Sequence, residues 1–167
     1  MLNSFLKLVF LVLVLGWSTY AVAQDLGYDE DNSVVWVGDE DEEINQAMVE
    51  ARSTIETFWK YKNSGDPDYS EFSLKVALET STGSLEHIWV NRISGDASAM
   101  TGYLGNDPVD LAGLKYGDKV TFSSDQISDW QYFKDDLMYG HYTTRVLLGR
   151  MPKEEAAIYA SMMGENP

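Results

Sequence analysis

The sequence predicts an α+β protein: an N-terminal and a C-terminal helix packed on a bent antiparallel sheet, or incomplete small barrel, of about five strands. Two periodicities and one absence predict it. Apolar residues recur at spacings of three and four from Ile44 to Phe58 and again after Pro152, the signature of helices with one buried stripe. Between Phe72 and Phe133 they alternate with polar residues in short runs separated by Gly, Asn, Asp and Ser, as half-buried strands joined by tight turns do. The chain has no cysteine, so neither disulfides nor thiolate metal sites support the fold and a hydrophobic core must carry it.

The chain opens as an export signal. Met1 to Lys7 carries one lysine and no acid, Leu8 to Leu15 is an unbroken apolar run, and Ala21-Val22-Ala23 offers the small residues of a cleavage site. The run is well short of the roughly 20 residues a membrane span needs. A cleaved signal peptide over 1–23 and a mature chain starting at Gln24, periplasmic or secreted, are therefore expected, with no integral span left after cleavage. An uncut anchor continuing to Ala23 is the alternative. The remaining length suits one domain.

Charge is the strongest compositional signal. The formal net charge is −15, from 27 acids against 12 bases, which argues against nucleic acid, because a phosphate backbone is met by Lys and Arg. Nine acids and no base fall between Asp25 and Glu43, so residues 24–43 read as a solvated acidic leader, with its first residues, Asp25 to Asp31, disordered. Within it, Val34-Val35-Trp36-Val37 is an apolar island that reads as a strand added to the edge of the main sheet, or else as a sticky segment that waits for a partner. Asp29-Glu30-Asp31-Asn32-Ser33 begins like a calcium loop, but Val34 stands where that loop requires Gly.

The domain proper, 44–167, begins with a helix. Asp39 with Glu42 fits a capping box, and Ile44, Ala47, Met48, Ala51, Ile55 and Phe58 form one stripe about four turns long, ended by Asn63-Ser64-Gly65-Asp66-Pro67. Phe72, Leu74, Val76 and Leu78 then share one strand face. After a turn at 80–84, a second strand over 85–93 places Ile88 and Val90 on one face and His87, Trp89 and Ile93 on the other. Met100 to Leu104 is a third, Gly-containing strand that completes a meander. Asn106-Asp107-Pro108-Val109-Asp110 is irregular, Gly117-Asp118 turns into a strand at 119–122, and Ile127 to Phe133 is a fifth extended run with Trp130 and Tyr132 on one face and Asp129 on the other. Tyr142 to Leu148 fits strand or buried helix equally. Pro152 at N1 and the acids after it open the last helix, with Ala156, Tyr159, Ala160 and Met163 as its stripe.

Several segments of the strand region together carry a resemblance: Gly83-Ser84-Leu85-Glu86-His87-Ile88-Trp89-Val90, Asn106-Asp107-Pro108-Val109-Asp110-Leu111, Gly117-Asp118, Ile127-Ser128-Asp129-Trp130 and Gly140-His141-Tyr142-Thr143-Thr144-Arg145. Through them residues 72–148 resemble the YegJ-like family of bacterial domains of unknown function. The resemblance implies an exported bacterial setting for members with signal peptides, and no catalytic residues.

Candidate functional residues follow from chemistry alone. His87 and His141 are the only histidines; either could act as general base if a carboxylate such as Asp129 oriented it and a hydroxyl such as Ser128 lay within reach. They lie far apart in sequence without ligand spacing, so no metal and no cofactor is expected. Asn106, Asp107, Asp110 and the Ser128-Asp129 pair are polar loop clusters that either close turns on their own backbone or face a partner. Trp130 reads first as a core anchor of the sheet; under the functional reading Trp89, Trp130, Tyr132 and Arg145 would line a groove for a peptide or a partner protein. Two functions follow: a non-catalytic binding or inhibitory protein whose acidic surface meets a basic periplasmic or cell-envelope protein, and a hydrolase using His87 or His141 with a neighbouring carboxylate.

Overall fold

The computed structural model describes residues 28–29, 34–35 and 41–166. The signal segment, the Asp39 cap and most of the acidic leader lie outside them. In the leader, β1 (Tyr28–Asp29) pairs antiparallel with β2 (Val34–Val35) in a two-stranded ladder of its own. Val34 and Val35 are thus paired within the leader, where their apolar character predicted an added strand on the main sheet; Trp36 and Val37 lie outside the described residues.

The second unit, from Glu42 onward, starts with α1 (Glu42–Ser53) and α2 (Ile55–Lys62). The expected single helix is broken at Thr54. The hydroxyls of Ser53 and Thr54 both donate back to the Glu50 carbonyl, at 2.7 and 3.0 Å, a pattern that bends helices. The stripe itself is as expected, with Ile44, Ala47, Ala51 and Phe58 buried.

Six strands follow: β3 (Tyr69–Glu79), β4 (Leu85–Asp96), β5 (Ala99–Leu104), β6 (Lys119–Phe122), β7 (Ile127–Lys134) and β8 (Leu137–Gly140). They form one open antiparallel sheet in the order β6-β5-β4-β3-β7-β8. Alternation sets its faces: Leu74, Val76, Leu78, Ile88, Val90 and Trp130 point to the core under α1 and α2, and Lys75, His87, Trp89 and Asp129 point the other way. Ile93, expected beside His87 and Trp89, is instead buried in the core. Arg92 has φ 50° and the β4–β5 register shifts between Asn91 and Ser94, so a bulge reverses the alternation there.

The sheet has one strand more than expected, because Asp135 and Asp136, both at positive φ, turn β7 directly into β8. The undecided segment is helical, α3 (Tyr142–Leu148), and α4 (Lys153–Ser161) ends the fold with Pro152 as its N-cap. Pro152 therefore precedes the first helical turn, where N1 was expected. None of the α4 side chains is fully buried, and Ala160 is exposed. Among the described residues no helix is long and apolar enough to cross a membrane.

Trp130 is the centre of the core, fully buried, with its indole N–H donating to the Ala51 carbonyl at 2.9 Å. Tyr132 stacks parallel to it at 5.7 Å and Phe58 tilts against it at 6.3 Å. Offset and tilted ring pairs of this kind add about 0.5 to 1.5 kcal/mol each beyond burial. Gly140 permits this packing: at φ 83°, a Cβ there would stand 2.0 Å from the Trp130 carbonyl and 2.6 Å from its ring.

Candidate functional site

Four of the residues singled out from sequence, His87, Ser128, Asp129 and His141, lie around the centre of β3, β4 and β7 with Lys75 and Trp89. Lys75, Trp89 and Asp129 occupy paired positions across the three strands. The Lys75 ammonium stands 5.0 Å from the Trp89 ring centroid, and the His141 ring lies 5.0 Å from it as well. Both contacts use the electron-rich indole, the first as a cation–π pair.

Asp129 is wholly buried and its oxygens are fully engaged. Oδ1 accepts the Trp130 and Tyr142 amides at 2.8 and 3.1 Å, and Oδ2 accepts the Thr143 amide and hydroxyl at 2.8 and 2.6 Å. The carboxylate thus caps α3 from a neighbouring strand, where anions suit the helix dipole. The Thr143 hydroxyl in turn accepts from Lys75 Nζ at 2.9 Å, so Lys75, Thr143 and Asp129 form one chain. Burial pushes the Asp129 carboxyl up, with Lys75 and the Thr143 hydrogen bonds acting against it, and burial pushes the half-buried Lys75 down.

Ser128 is also wholly buried. Its hydroxyl lies 2.8 Å from His87 Nδ1 and 3.2 Å from the Lys75 carbonyl. With the His87 proton on Nδ1 the serine donates to the Lys75 carbonyl and accepts from His87, and with that proton on Nε2 it donates to His87 Nδ1. His87 itself is exposed. The four hydrogen bonds of Asp129 go to Trp130, Tyr142 and Thr143, and His141 Nδ1 meets Thr144 Oγ1 at 3.3 Å. His141 is buried, and burial first, then Lys75 and Arg145, holds its imidazole down at about 3. Its Nε2 and the Asn91 Oδ1 are buried polar atoms without a hydrogen-bond partner.

The other candidates are structural in their contacts. Asn106 Oδ1 accepts the Trp89 amide at 3.3 Å, Asp107 Oδ1 accepts the Tyr116 amide at 2.8 Å, and Asp110 donates its own amide to Glu86 at 2.8 Å. Arg145 makes no ion pair with the loop carboxylates. Its guanidinium ties the chain end to β8, donating to the carbonyls of Gly140 and Gly164 and to Asn166 Oδ1. Trp89, Trp130, Tyr132 and Arg145 do not line one groove: Trp130 and Tyr132 are core residues and Trp89 lies on the opposite face.

Sequence reasoning missed Lys75, Thr143 and Glu86. Lys75 shows one signal, a lysine at the polar positions of an otherwise apolar strand; Glu86, whose two oxygens accept the Val109 and Asp110 amides at 2.8 Å, shows none. Among the described residues no group of three metal-ligating side chains stands together.

Comparison with known proteins gives relatives without an assigned activity. The chain is 31% identical over 152 residues to the uncharacterized protein YegJ of Escherichia coli (strain K12), covering 90% of this chain and 94% of that one. It is 27% identical over 141 residues to NMB1133/NMB1171 of Neisseria meningitidis serogroup B, a protein whose name makes it a candidate ankyrin repeat protein; 80% of this chain matches 56% of that one, so the chain spans about half of it. No solved structure matches. The family model of uncharacterized proteins conserved in bacteria matches residues 41–166, and the chain belongs to that family, DUF2314, as a YegJ-like domain of unknown function.

Proposed function

We propose that the protein is exported and acts in the periplasm or cell envelope as a non-catalytic binding or inhibitory protein, steered to a basic partner by its acidic surface. The commitment of Asp129 and Ser128 carries the reading. A hydrolase needs a carboxylate that orients its base and a hydroxyl that can reach a substrate carbonyl. Here the Asp129 carboxylate accepts four structural hydrogen bonds, and Ser128 is wholly buried.

Two measurements test the proposal together. Amino-terminal sequencing of protein from a periplasmic fraction should begin at Gln24, and the purified mature protein should retain a basic protein from periplasmic extract at low salt and release it as salt is raised. An uncut chain recovered in the cytoplasm, or no salt-sensitive partner, overturns it. The His87–Ser128 contact at 2.8 Å favours the second reading, a hydrolase. Under that reading a fluorophosphonate probe labels Ser128, and under ours it does not.

A further inference from the structure

The loop between β5 and β6, residues 105–117, is closed at its base. The Leu104 amide donates to the Asp118 carbonyl at 3.0 Å and the Gly117 amide to the Leu104 carbonyl at 2.9 Å. Three carboxylates stiffen the interior by accepting backbone amides: Glu86 from Val109 and Asp110, Asp107 from Tyr116, and Asp118 from Lys115. Leu111 anchors the loop, buried in the core. This is a compact Ω-loop, a kind of element often used for function.

It exposes apolar side chains among its polar ones. Of the six large apolar side chains exposed among the described residues, Val109, Leu114 and Tyr116 sit on this loop, and a fourth, Leu85, is next to Glu86, which holds it. Single exposed hydrophobics are ordinary; a concentration on one rigid loop is not. Beside it a shallow cleft is lined by Glu79, Thr80, Ser81, Leu111, Ala112 and Leu114. Glu79 in the cleft and Asp110, next to Leu111 in sequence, are exposed, and the single base of the loop is Lys115.

Charge decides the occupant. A second copy brings the same net −15 to the contact, and an anionic lipid surface is repelled by the same carboxylates. A basic protein is attracted, and a loop already ordered loses little entropy on docking. Resting on the binding reading above, we infer that this loop is the docking surface for the basic partner: an apolar side chain of the partner seats beside Leu114 and Tyr116, and its flanking Lys or Arg meets Glu79 and Asp110.

The test uses the mature protein and two synthetic peptides of equal charge, one alternating Lys and Leu, the other Lys and Ser, with affinity read by fluorescence anisotropy. The Lys-Leu peptide should bind at least about tenfold tighter. Leu114→Ser combined with Tyr116→Ser should remove that advantage with the melting temperature unchanged, and Glu79→Gln with Asp110→Asn should weaken both peptides and flatten their salt dependence. Trp89→Ala should leave binding as it was. Unchanged affinity of the Lys-Leu peptide for the Leu114/Tyr116 variant overturns the docking surface while leaving the binding reading intact. Failure of both peptides to bind the unaltered protein at low salt overturns the two together.

Discussion

The carboxylate of Asp129 and the side chain of Thr143 face each other across the junction of β7 and α3, the threonine donating its hydroxyl at 2.6 Å and its amide at 2.8 Å. His141, the N-cap residue of α3, makes no side-chain cap bond. The start of the helix therefore depends on a residue 14 positions earlier in the chain, and the centre of the sheet is tied to its last helices.

Removing that carboxylate should be costly. Asp129→Ala leaves buried amides of Tyr142 and Thr143 without an acceptor, at about 1 to 3 kcal/mol for each unsatisfied group, so a loss of roughly 3 kcal/mol or more is expected from denaturant midpoints. Asp129→Asn turns one acceptor into a donor facing donors and should fall between alanine and the natural residue. A loss under about 1 kcal/mol for Asp129→Ala would mean that the cap is dispensable.

Trp130→Ala should cost about 3 to 5 kcal/mol, the range for a large buried aromatic. It removes a side chain with no exposed surface and its bond to the Ala51 carbonyl. Such a loss is a large part of the total stability of a domain, and thermal melting reads it directly. A variant that melts like the natural protein would contradict the core role.

His141 should make stability fall on the acid side. Its folded value, about 3, lies below the ordinary 6.5, so between those values the unfolded chain binds the proton and the folded one does not. Stability is fully present above about pH 6.5 and declines toward pH 3, by up to about 1.4 kcal/mol per pH unit from this group. His141→Asn suits the backbone, since φ is 54° and Asn tolerates that region. It should lower the baseline yet flatten the slope. Asp129, whose carboxyl is pushed up, contributes the opposite sign, with stability lost as pH rises through its folded value, and does so in both proteins. Equal slopes for the two would show that His141 is not the group responsible.

Gly140→Ala should be among the most damaging small changes. A Cβ there meets the Trp130 carbonyl and ring at 2.0 and 2.6 Å, at φ 83°, so backbone strain and overpacking act together, each at about 1 to 3 kcal/mol. Gly113, in the loop between β5 and β6, with φ 80° and open space around it, is the control: Gly113→Ala carries the strain alone. If both variants show the same shift in melting temperature, the contact with Trp130 is not what constrains Gly140.

The sequence by itself determined the fold class, the helix stripe at Ile44, Ala47, Ala51 and Phe58, the meander, and the opposed faces of Trp130 and Asp129. These follow from periodicity, because the 3.6-residue and two-residue repeats are local properties of the backbone. Only the tertiary structure decided where local patterns stop. The bulge at Arg92 moved Ile93 into the core, the back-bonding at Thr54 split one expected helix into two, and Val34 found its pair inside the leader. It also decided what the polar residues do. Asp129 and Ser128 are neighbours in sequence with matching chemistry, yet one caps a helix and the other lies between His87 and Lys75. The physical reason is that a buried carboxylate or hydroxyl must find partners wherever the fold brings donors and acceptors within about 3 Å, and those partners come from positions that sequence spacing does not connect.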